Sequence, residues 1–484
     1  MFLCRYIELL VNLDYTKKVI FCQSFKIEVF FVKISKMSQD EKLKYMTTAP
    51  IPGLVGKMAV PTIISMLVTA FYNMVDTAFV GGINTQATAA VGVAFSAMAI
   101  IQAVGFLFGH GSGNYVSRKL GSKEFDKAET MASTGFFASF IVGIVIGVLG
   151  IIFLKPLSYL LGSTSTILPY TMSYLGIILL GTPFMTSSFV LNNQLRFQGN
   201  ASLSMIGIII GAVFNVILDP LLIIGFDMGV AGAAIATVLS QIVSFCVLLY
   251  LTSKGGAFKI SFKKCQFNMY YLKNIVKGGI PSLCRQGLAS VAAIAMNKMA
   301  GYYGANLADE AIAAMGVVTK ITMFANSALI GFGQGFQPVC GINYGAKNYR
   351  RVKEAFIFCV KMSIIFLTVI SLIVFIFAGD IVGFFRDDVN VIEIGELTLR
   401  FQCISFPFCA VIVMVNMMLQ TIGRAAKASI VASARQGIFF IPLVFILPLF
   451  MGLTGVQICQ MVADLLAFAL AVPLVADELK KMAC

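Results

Sequence analysis

Long runs of apolar residues, broken by short polar segments, dominate the chain from about residue 57 onward. A helix needs about 20 apolar residues to cross the hydrocarbon core of a bilayer, and twelve runs are that long. The pattern predicts an all-α membrane protein. Its twelve spans, numbered 1 to 12, are expected at residues 57–80, 86–110, 129–153, 166–190, 198–224, 229–252, 274–299, 310–337, 354–378, 391–420, 425–450 and 453–476.

Charged residues are scarce, and their distribution predicts an orientation. The chain is 58% hydrophobic and 12% charged, with a mean hydropathy of +0.90 and a net charge of +14. The basic residues do not form one face for nucleic acid; 19 of them fall in one alternating set of connections, against only Lys155 and Arg386 in the other. By the positive-inside rule both termini are cytoplasmic. The basic set comprises 111–128, 191–197, 253–277, 341–353, 421–427 and the C-terminal tail.

The chain contains an internal repeat. A shift of 220 residues aligns Lys57 with Lys277 and Pro61 with Pro281. Six spans per repeat predict two six-helix bundles related by a pseudo-twofold axis along the membrane normal, an arrangement suited to alternating access. A shift of 224 then aligns Gly92, Gly109, Gly111, Gly121, Pro183, Leu195, Gly199 and Ala201 with Gly316, Gly333, Gly335, Gly345, Pro407, Leu419, Gly423 and Ala425.

The repeat divides the chain into domains. We expect a cytoplasmic N-terminal extension at 1–48, an N-lobe at 49–252, a cytoplasmic linker at 253–273 and a C-lobe at 274–484. Residues 1–36 mix aromatic and charged residues without a cleavable-signal layout, which suits a peripheral amphipathic segment or, as we prefer, sequence upstream of a true start at Met37.

Metal, cofactor and catalytic signals are weak. The eleven cysteines show no C-x-x-C spacing, and the single histidine, His110, suits a hydrogen-bonding or surface role better than a metal site. No nucleophile with an aligned base and no phosphate-binding loop is visible. We expect no enzyme activity, no cofactor and no metal beyond a possible Na⁺.

Two carboxylates inside spans are candidate functional groups, because burying an ionisable residue at a helix centre costs about 2.5–3.5 kcal/mol on insertion scales. Asp76 and Asp219 both lie roughly 7–9 Å inside the outer boundary at 1.5 Å per residue. Tyr72 and Asn215 precede them by one helical turn and share their helix faces. Thr237 on span 6 falls at a similar depth.

Two carboxylates in one low-dielectric site cannot both ionise cheaply, so either a proton or a bound cation must compensate them. Oxygen ligands from Asp, Asn and Thr suit Na⁺ as well as H⁺. The structural alternative is that Asp219, beside Pro220, caps a helix while Asp76 pairs with a polar neighbour. Pro61, earlier on span 1, is either a hinge that moves with protonation or a helix-entry proline.

The second half does not duplicate this site, since Met296, Phe439 and Leu443 occupy the positions equivalent to Asp76, Asn215 and Asp219. It places cations inside its spans instead, and we expect Lys320 to pair with Asp464. Snorkelling and interhelical salt bridges are the alternatives to cavity lining for these cations. The cations are Arg285, Lys320, Arg400 and Arg435, and the expected cavity residues are Asn73, Arg285, Gln286, Lys320 and Arg435.

Several motifs resemble the multidrug and toxic compound extrusion (MATE) family, in particular its DinF-like bacterial multidrug exporters. The resemblance runs from about residue 45 to 476. In the first half the motifs are Tyr72-Asn73-Met74-Val75-Asp76-Thr77, Ser117-Arg118-Lys119-Leu120-Gly121, Leu195-Arg196-Phe197-Gln198-Gly199-Asn200-Ala201, Leu218-Asp219-Pro220 and Gly229-Val230-Ala231-Gly232-Ala233-Ala234. In the second half they are Gly331-Phe332-Gly333-Gln334-Gly335-Phe336-Gln337-Pro338 and Asn343-Tyr344-Gly345-Ala346-Lys347.

The resemblance implies the two-lobed MATE fold and export of amphipathic, often cationic compounds driven by inward H⁺ or Na⁺ flow. It assigns the N-lobe cation site to Asp76, Asn215, Asp219 and Thr237, with Tyr72 adjacent. Where some branches carry an acidic residue on span 7, this chain has Arg285 and Gln286. A second cation site is therefore not implied.

We interpret the sequence as an ion-coupled antiporter for small-molecule drugs or toxins, monomeric, in the bacterial inner membrane. The alternative is a flippase for lipid-linked oligosaccharides, because related two-lobed transporters perform that function and basic cavity residues suit an anionic pyrophosphate. A passive channel agrees poorly with the repeat and the asymmetric carboxylates.

Overall fold

The computed structural model describes residues 38–81 and 85–482, so the expectations for residues 1–37 concern a part outside the described residues. Within those ranges twelve long helices correspond to the twelve predicted spans, and 11 are long and apolar enough to cross a membrane. Span 7 is less apolar because it contains Arg285, Gln286 and Asn297. Spans 1 to 6 are Ile51–Gly81, Thr85–Gly121, Phe125–Ile152, Leu168–Phe197, Ala201–Pro220 with a π-helical continuation Leu221–Gly225, and Gly229–Gly255. Spans 7 to 12 are Met269–Tyr303, Ala308–Gly345, Tyr349–Ile376, Val389–Thr421, Ala425–Met451 and Leu453–Lys481.

Several helices extend beyond their apolar runs. Span 2 continues to Gly121, although its apolar run was predicted to end at residue 110, and its added residues include Ser112 and Asn114, which are buried. Polar residues that pack inside the protein do not need lipid, so hydropathy misses them. The same error placed Arg196 in a loop at 191–197; it lies in the last turn of span 4 and is 1% exposed.

The internal repeat is also visible in details that the apolar pattern did not predict. A short helix follows span 3 at Leu154–Leu160, and another follows span 9 at Ala378–Phe385, which begins 224 residues later. Asn192 and Asn416 are separated by the same offset. Each donates its side-chain amide to a carbonyl twelve residues ahead, at 2.9 and 2.7 Å respectively. The two halves therefore repeat specific contacts as well as helix order.

Glycines bring the two halves together at the ends of the spans near the basic connections. A Cβ on Gly345 of span 8 would lie 1.9 Å from the carbonyl oxygen of Arg118, and one on Gly121 of span 2 would lie 2.0 Å from that of Ile342. These two contacts are equivalent under the 224-residue offset. Spans 2 and 8 thus cross with their backbones in contact, which only glycine permits.

Spans 1 and 7 complete the contact, which we call the seam. Gly111 of span 2 lies against the carbonyl of Ile275 on span 7, and Gly335 of span 8 lies against the backbone of Ala59 on span 1. The Thr62 hydroxyl also donates to the carbonyl of Gly331 at 2.6 Å. The seam therefore joins the halves through spans 1, 2, 7 and 8.

A short amphipathic helix, Gln39–Thr48, lies across the same end of the molecule. On one side the buried ammonium of Lys42 donates to Asn200 Oδ1 at 2.5 Å, in the first half. On the other side the amide of Asn343, in the second half, donates to the carbonyl of Met46 at 3.1 Å. This helix thus tethers both halves at the seam.

We predict that Gly345→Ala destabilises the protein by about 1–3 kcal/mol, because the added methyl group overpacks the helix crossing. The matched variant Gly316→Ala lies on the same helix where a Cβ meets nothing within 4 Å, so it should be neutral or slightly stabilising. Thermal melting of the purified proteins in detergent measures both effects. A Gly345→Ala protein that melts at or above the Gly316→Ala protein would contradict the seam.

A second prediction concerns Lys42, which precedes the first span. Burial lowers the pKa of its ammonium to about 8, whereas lysine in an unfolded chain titrates near 10.4. Between these values the unfolded chain binds more protons, so the folding free energy becomes more favourable as pH rises. The stability of the wild type relative to Lys42→Met should therefore increase by about 2 kcal/mol from pH 7 to pH 10. Melting curves at both pH values test this, and a constant difference is the contrary result.

Candidate functional site

A cavity of about 500 Å³ lies between the two halves, a size typical of small-molecule sites. On span 1 its wall begins at Met66, one turn beyond the seam residue Thr62. Spans 1, 2, 4, 5 and 6 of the first half and their repeats, spans 7, 8, 10, 11 and 12, all contribute to the wall, whereas spans 3 and 9 contribute no described residue. Its larger apolar side chains include Met66, Phe106, Phe189, Met296, Met323, Phe406 and Phe440.

Behind this wall, the first half buries two carboxylates with incomplete hydrogen bonding. Asp76 is 4% exposed and Asp219 is fully buried. Asn215 donates its amide to Asp219 Oδ1 at 3.2 Å, one turn away on span 5. Within the described residues, Asp76 Oδ1, Asn215 Oδ1 and Asp219 Oδ2 have no hydrogen-bond donor. Three buried oxygens without donors are costly, and each would be satisfied by a proton or a cation.

The other predicted members of this group lie at the cavity edge. Tyr72, Asn215 and Thr237 are part of the cavity wall, whereas Asp76 and Asp219 are not. The two carboxylates are close enough to repel each other when both are ionised. The structure thus brings the sequence-predicted residues together and places the carboxylates one layer behind the cavity.

Sequence reasoning missed Tyr174 on span 4. This residue is fully buried, contacts Met98 Sδ through its hydroxyl at 3.9 Å, and interacts with Thr237 and both carboxylates. A tyrosine in an apolar span was the only available signal, because its approach to the carboxylates depends on how span 4 packs against spans 1, 5 and 6.

The second half also buries a carboxylate, but this one is fully paired. Asp464 Oδ1 accepts hydrogen bonds from Arg435 Nε and Gln460 Nε2, both at 2.8 Å. Its Oδ2 accepts from the Ser405 hydroxyl at 3.0 Å and the Cys409 thiol at 2.9 Å. No further ion is needed to satisfy this carboxylate.

A π-helical turn in span 11, Ala434–Ile438, contains Arg435. Such turns shift side-chain direction within a helix, and this one faces Asp464 on span 12. The expected partner of Asp464 was Lys320, and that expectation is wrong. Lys320 is exposed and is not part of the cavity wall, because its position on span 8 turns it away from span 12.

Of the remaining predicted residues, some are part of the cavity wall and others lie outside the cavity. Asn73, Arg285 and Gln286 are part of the cavity wall. Arg400 lies outside it and pairs with Glu396 at 2.6 Å, one turn away on span 10. Pro61 lies ten residues after the first residue of span 1, so it is inside the helix and not at its entry.

A buried polar cluster joins the two halves between the seam and the cavity. Arg196 Nη2 donates to Asn193 at 2.5 Å and lies 3.3 Å from His110 Nε2. Its Nη1 donates to Gln334 Oε1 on span 8, in the second half. His110 is fully buried, so the surface alternative for it was wrong, and its ring stacks on Phe106 at 5.2 Å. The cluster was not predicted because Arg196 had been assigned to a loop.

We predict that Arg435→Met destabilises the protein by about 3–5 kcal/mol, because it leaves Asp464 buried without a counter-ion. The double variant Arg435→Met/Asp464→Asn should recover part of that loss, since the neutral amide can still accept a hydrogen bond from Gln460 or Ser405. Melting curves of both variants in detergent measure the two effects. Equal stability of the single and double variants would show that the ion pair is not the relevant interaction.

Known proteins resemble this chain in sequence and structure. The multidrug export protein MepA of Staphylococcus aureus (strain NCTC 8325 / PS 47) is 30% identical over 448 residues, covering 91% of this chain and 98% of MepA. MepA of Staphylococcus haemolyticus (strain JCSC1435) is 29% identical over 436 residues, covering 90% and 95%. A solved outward-facing structure of a multidrug resistance MATE family transporter of the MOP superfamily superimposes with a TM-score of 0.86 at 22% identity, covering 91% and 98%.

These similarities extend over both halves. The superposition confirms the predicted fold, with two six-helix bundles, and the chain is a multi-pass membrane protein. A family model, MatE, matches residues 61–221 and again residues 281–446, which is one match in each half and more than half of the chain in total. This chain therefore belongs to the MatE family, the multidrug and toxic compound extrusion transporters.

Proposed function

We propose that this protein is an ion-coupled antiporter that exports amphipathic, often cationic drugs and toxic compounds by alternating access. The observation that carries the proposal is the group of three donor-free oxygens on Asp76, Asn215 and Asp219 beside the cavity. The names of the MepA relatives support the substrate class, since these proteins are multidrug exporters. The cavity volume of about 500 Å³ suits a drug-sized compound.

Coupling between ion binding and transport follows from the free-energy cost of burying two ionised carboxylates. Occupation of the site by H⁺ or Na⁺ reduces the repulsion between Asp76 and Asp219 and gives a partner to oxygens that lack a donor. Asn215 belongs to that site and to the cavity wall, and Tyr72 and Thr237 are also part of the wall, so a change in ionisation alters the wall that a substrate contacts. Linkage requires ion and drug to stabilise different states or to compete for one. Pro61, inside span 1, is the proposed hinge.

The proposed orientation places both termini in the cytoplasm of a bacterial cell and the seam at the cytoplasmic ends of the spans, with a monomer in the inner membrane. Removing the buried Arg196 from the count of basic residues leaves the charge bias between the two sides intact. The carboxylates then lie in the external half of the membrane, from which the driving ion enters.

We predict that Asp76→Asn and Asp219→Asn each abolish ion-driven efflux from proteoliposomes, because a neutral amide cannot exchange a proton or balance a cation. Asp309→Asn is the matched control, since Asp309 is exposed at the start of span 8 and is not part of the cavity wall. Melting curves should show all three variants folded. Unimpaired efflux in both carboxylate variants would refute the assignment.

Imposing a proton gradient and a sodium gradient separately on the same proteoliposomes identifies the coupling ion. Substrate accumulation against its own gradient with either ion supports the antiporter, whereas downhill flux alone supports a passive channel.

One observation favours the alternative of a lipid-linked oligosaccharide flippase. Arg285 lies in the cavity wall without an ion-pair partner among the described residues, which suits an anionic pyrophosphate. Arg435 gives less support because Asp464 already neutralises it. Complementation of a flippase-deficient strain, compared with drug-resistance profiling of cells expressing the protein, separates the two functions.

A further inference from the structure

The cavity wall has an uneven charge. Among the described residues that form it, three are charged: Arg285, Arg435 and Asp464. Arg435 and Asp464 form an ion pair at 2.8 Å and neutralise each other. Arg285 is therefore left as a cation with no counter-ion among the described residues of the wall.

The contacts of Arg285 leave its guanidinium group incompletely hydrogen-bonded. Nη1 donates to Asn416 Oδ1 at 3.3 Å, and Nε has no hydrogen-bond partner within the described chain. Asn416 is held in place because its own amide donates to the carbonyl of Ala428 at 2.7 Å. Arginine binds carboxylates through charge-assisted hydrogen bonds, and the Arg285 guanidinium, which is part of the cavity wall, has N–H donors that no described residue accepts.

The repeat shows that this charge is not required by the fold. The position equivalent to Arg285 in the first half, at the 220-residue offset, is Ser65, which donates its hydroxyl to the carbonyl of Pro61 at 2.9 Å. A small neutral residue therefore fits the same place in the same architecture. Arginine remains charged at any accessible pH, so Arg285 cannot avoid the cost of burial by losing its proton.

We propose that Arg285 is a specificity-determining residue that binds a carboxylate group on the exported compound, so that substrates include amphipathic aromatic acids and zwitterions. This inference rests on the proposed function. A bound carboxylate supplies the missing counter-ion and accepts hydrogen bonds from the guanidinium group. The aromatic body of the compound packs against Phe406 and Phe440 of the same half, and against Phe106 and Phe189 of the other half.

The test uses two fluorescent dyes that differ only at the carboxylate: rhodamine B, which carries a free acid, and rhodamine B ethyl ester. Fluorescence polarisation with purified protein in detergent, without any ion gradient, measures binding of each. The wild type should bind the acid more tightly than the ester. Arg285→Gln should weaken acid binding about tenfold to a hundredfold while changing ester binding less than about twofold, as expected for loss of a charge-assisted hydrogen bond.

Two further variants separate charge recognition from a structural role. Arg285→Lys keeps the charge but loses the planar edge, so it should retain part of the acid preference. Arg400→Gln removes an arginine that lies outside the wall and should leave both affinities unchanged. Unchanged ester binding by Arg285→Gln also shows that the cavity is intact.

The proposal is overturned if the wild type shows no preference for the acid, or if Arg285→Gln weakens both dyes equally or neither. Its failure is distinguishable from failure of ion coupling, because the dyes are measured at equilibrium. A loss of acid preference in Arg285→Gln with normal ion-driven efflux of the ester would place Arg285 in substrate selection alone.

Discussion

The cost of burying charge away from water governs how the two halves of this protein differ. In the second half Asp464 receives four hydrogen bonds, one of them from Arg435, and its charge is balanced inside the protein. In the first half no described cation pairs with Asp76 or Asp219, and two of their oxygens lack donors among the described residues. A buried charge that is balanced inside the protein needs no further ion, whereas an unbalanced one requires an external partner, and a transporter can couple to that requirement.

Because the two halves share one arrangement of helices, their differences can be compared position by position. The seam glycines, the short helices after spans 3 and 9, and the amide contacts of Asn192 and Asn416 recur at one offset. The two halves therefore share backbone packing but differ in the residues that line the cavity or lie behind its wall. Close contact at the seam also fixes where the halves meet, so the cavity lies beyond it and draws its wall from both.

Two π-helical turns lie beside charged side chains and affect their direction. The π-helical turn at Ala434–Ile438 presents Arg435 to Asp464, and Pro220 interrupts the hydrogen-bond ladder directly after Asp219, where span 5 continues as a second π-helical turn. Neither π-helical turn has a counterpart at the repeat-equivalent position in the other half, where the described helix is regular. Departures from regular helix geometry therefore coincide with departures from the repeat.

The sequence by itself determined the number of spans, the repeat and the two unusual carboxylates, because membrane burial requires long apolar runs and makes ionisable exceptions conspicuous. It also identified Asn215, Tyr72 and Thr237 as neighbours by helix spacing and depth. Only the tertiary structure decided that Asp464 pairs with Arg435, that Tyr174 approaches the carboxylates, and that Arg196 is buried at the seam. These outcomes depend on how helices rotate and pack against one another, and a helical pattern along one chain segment does not contain that information.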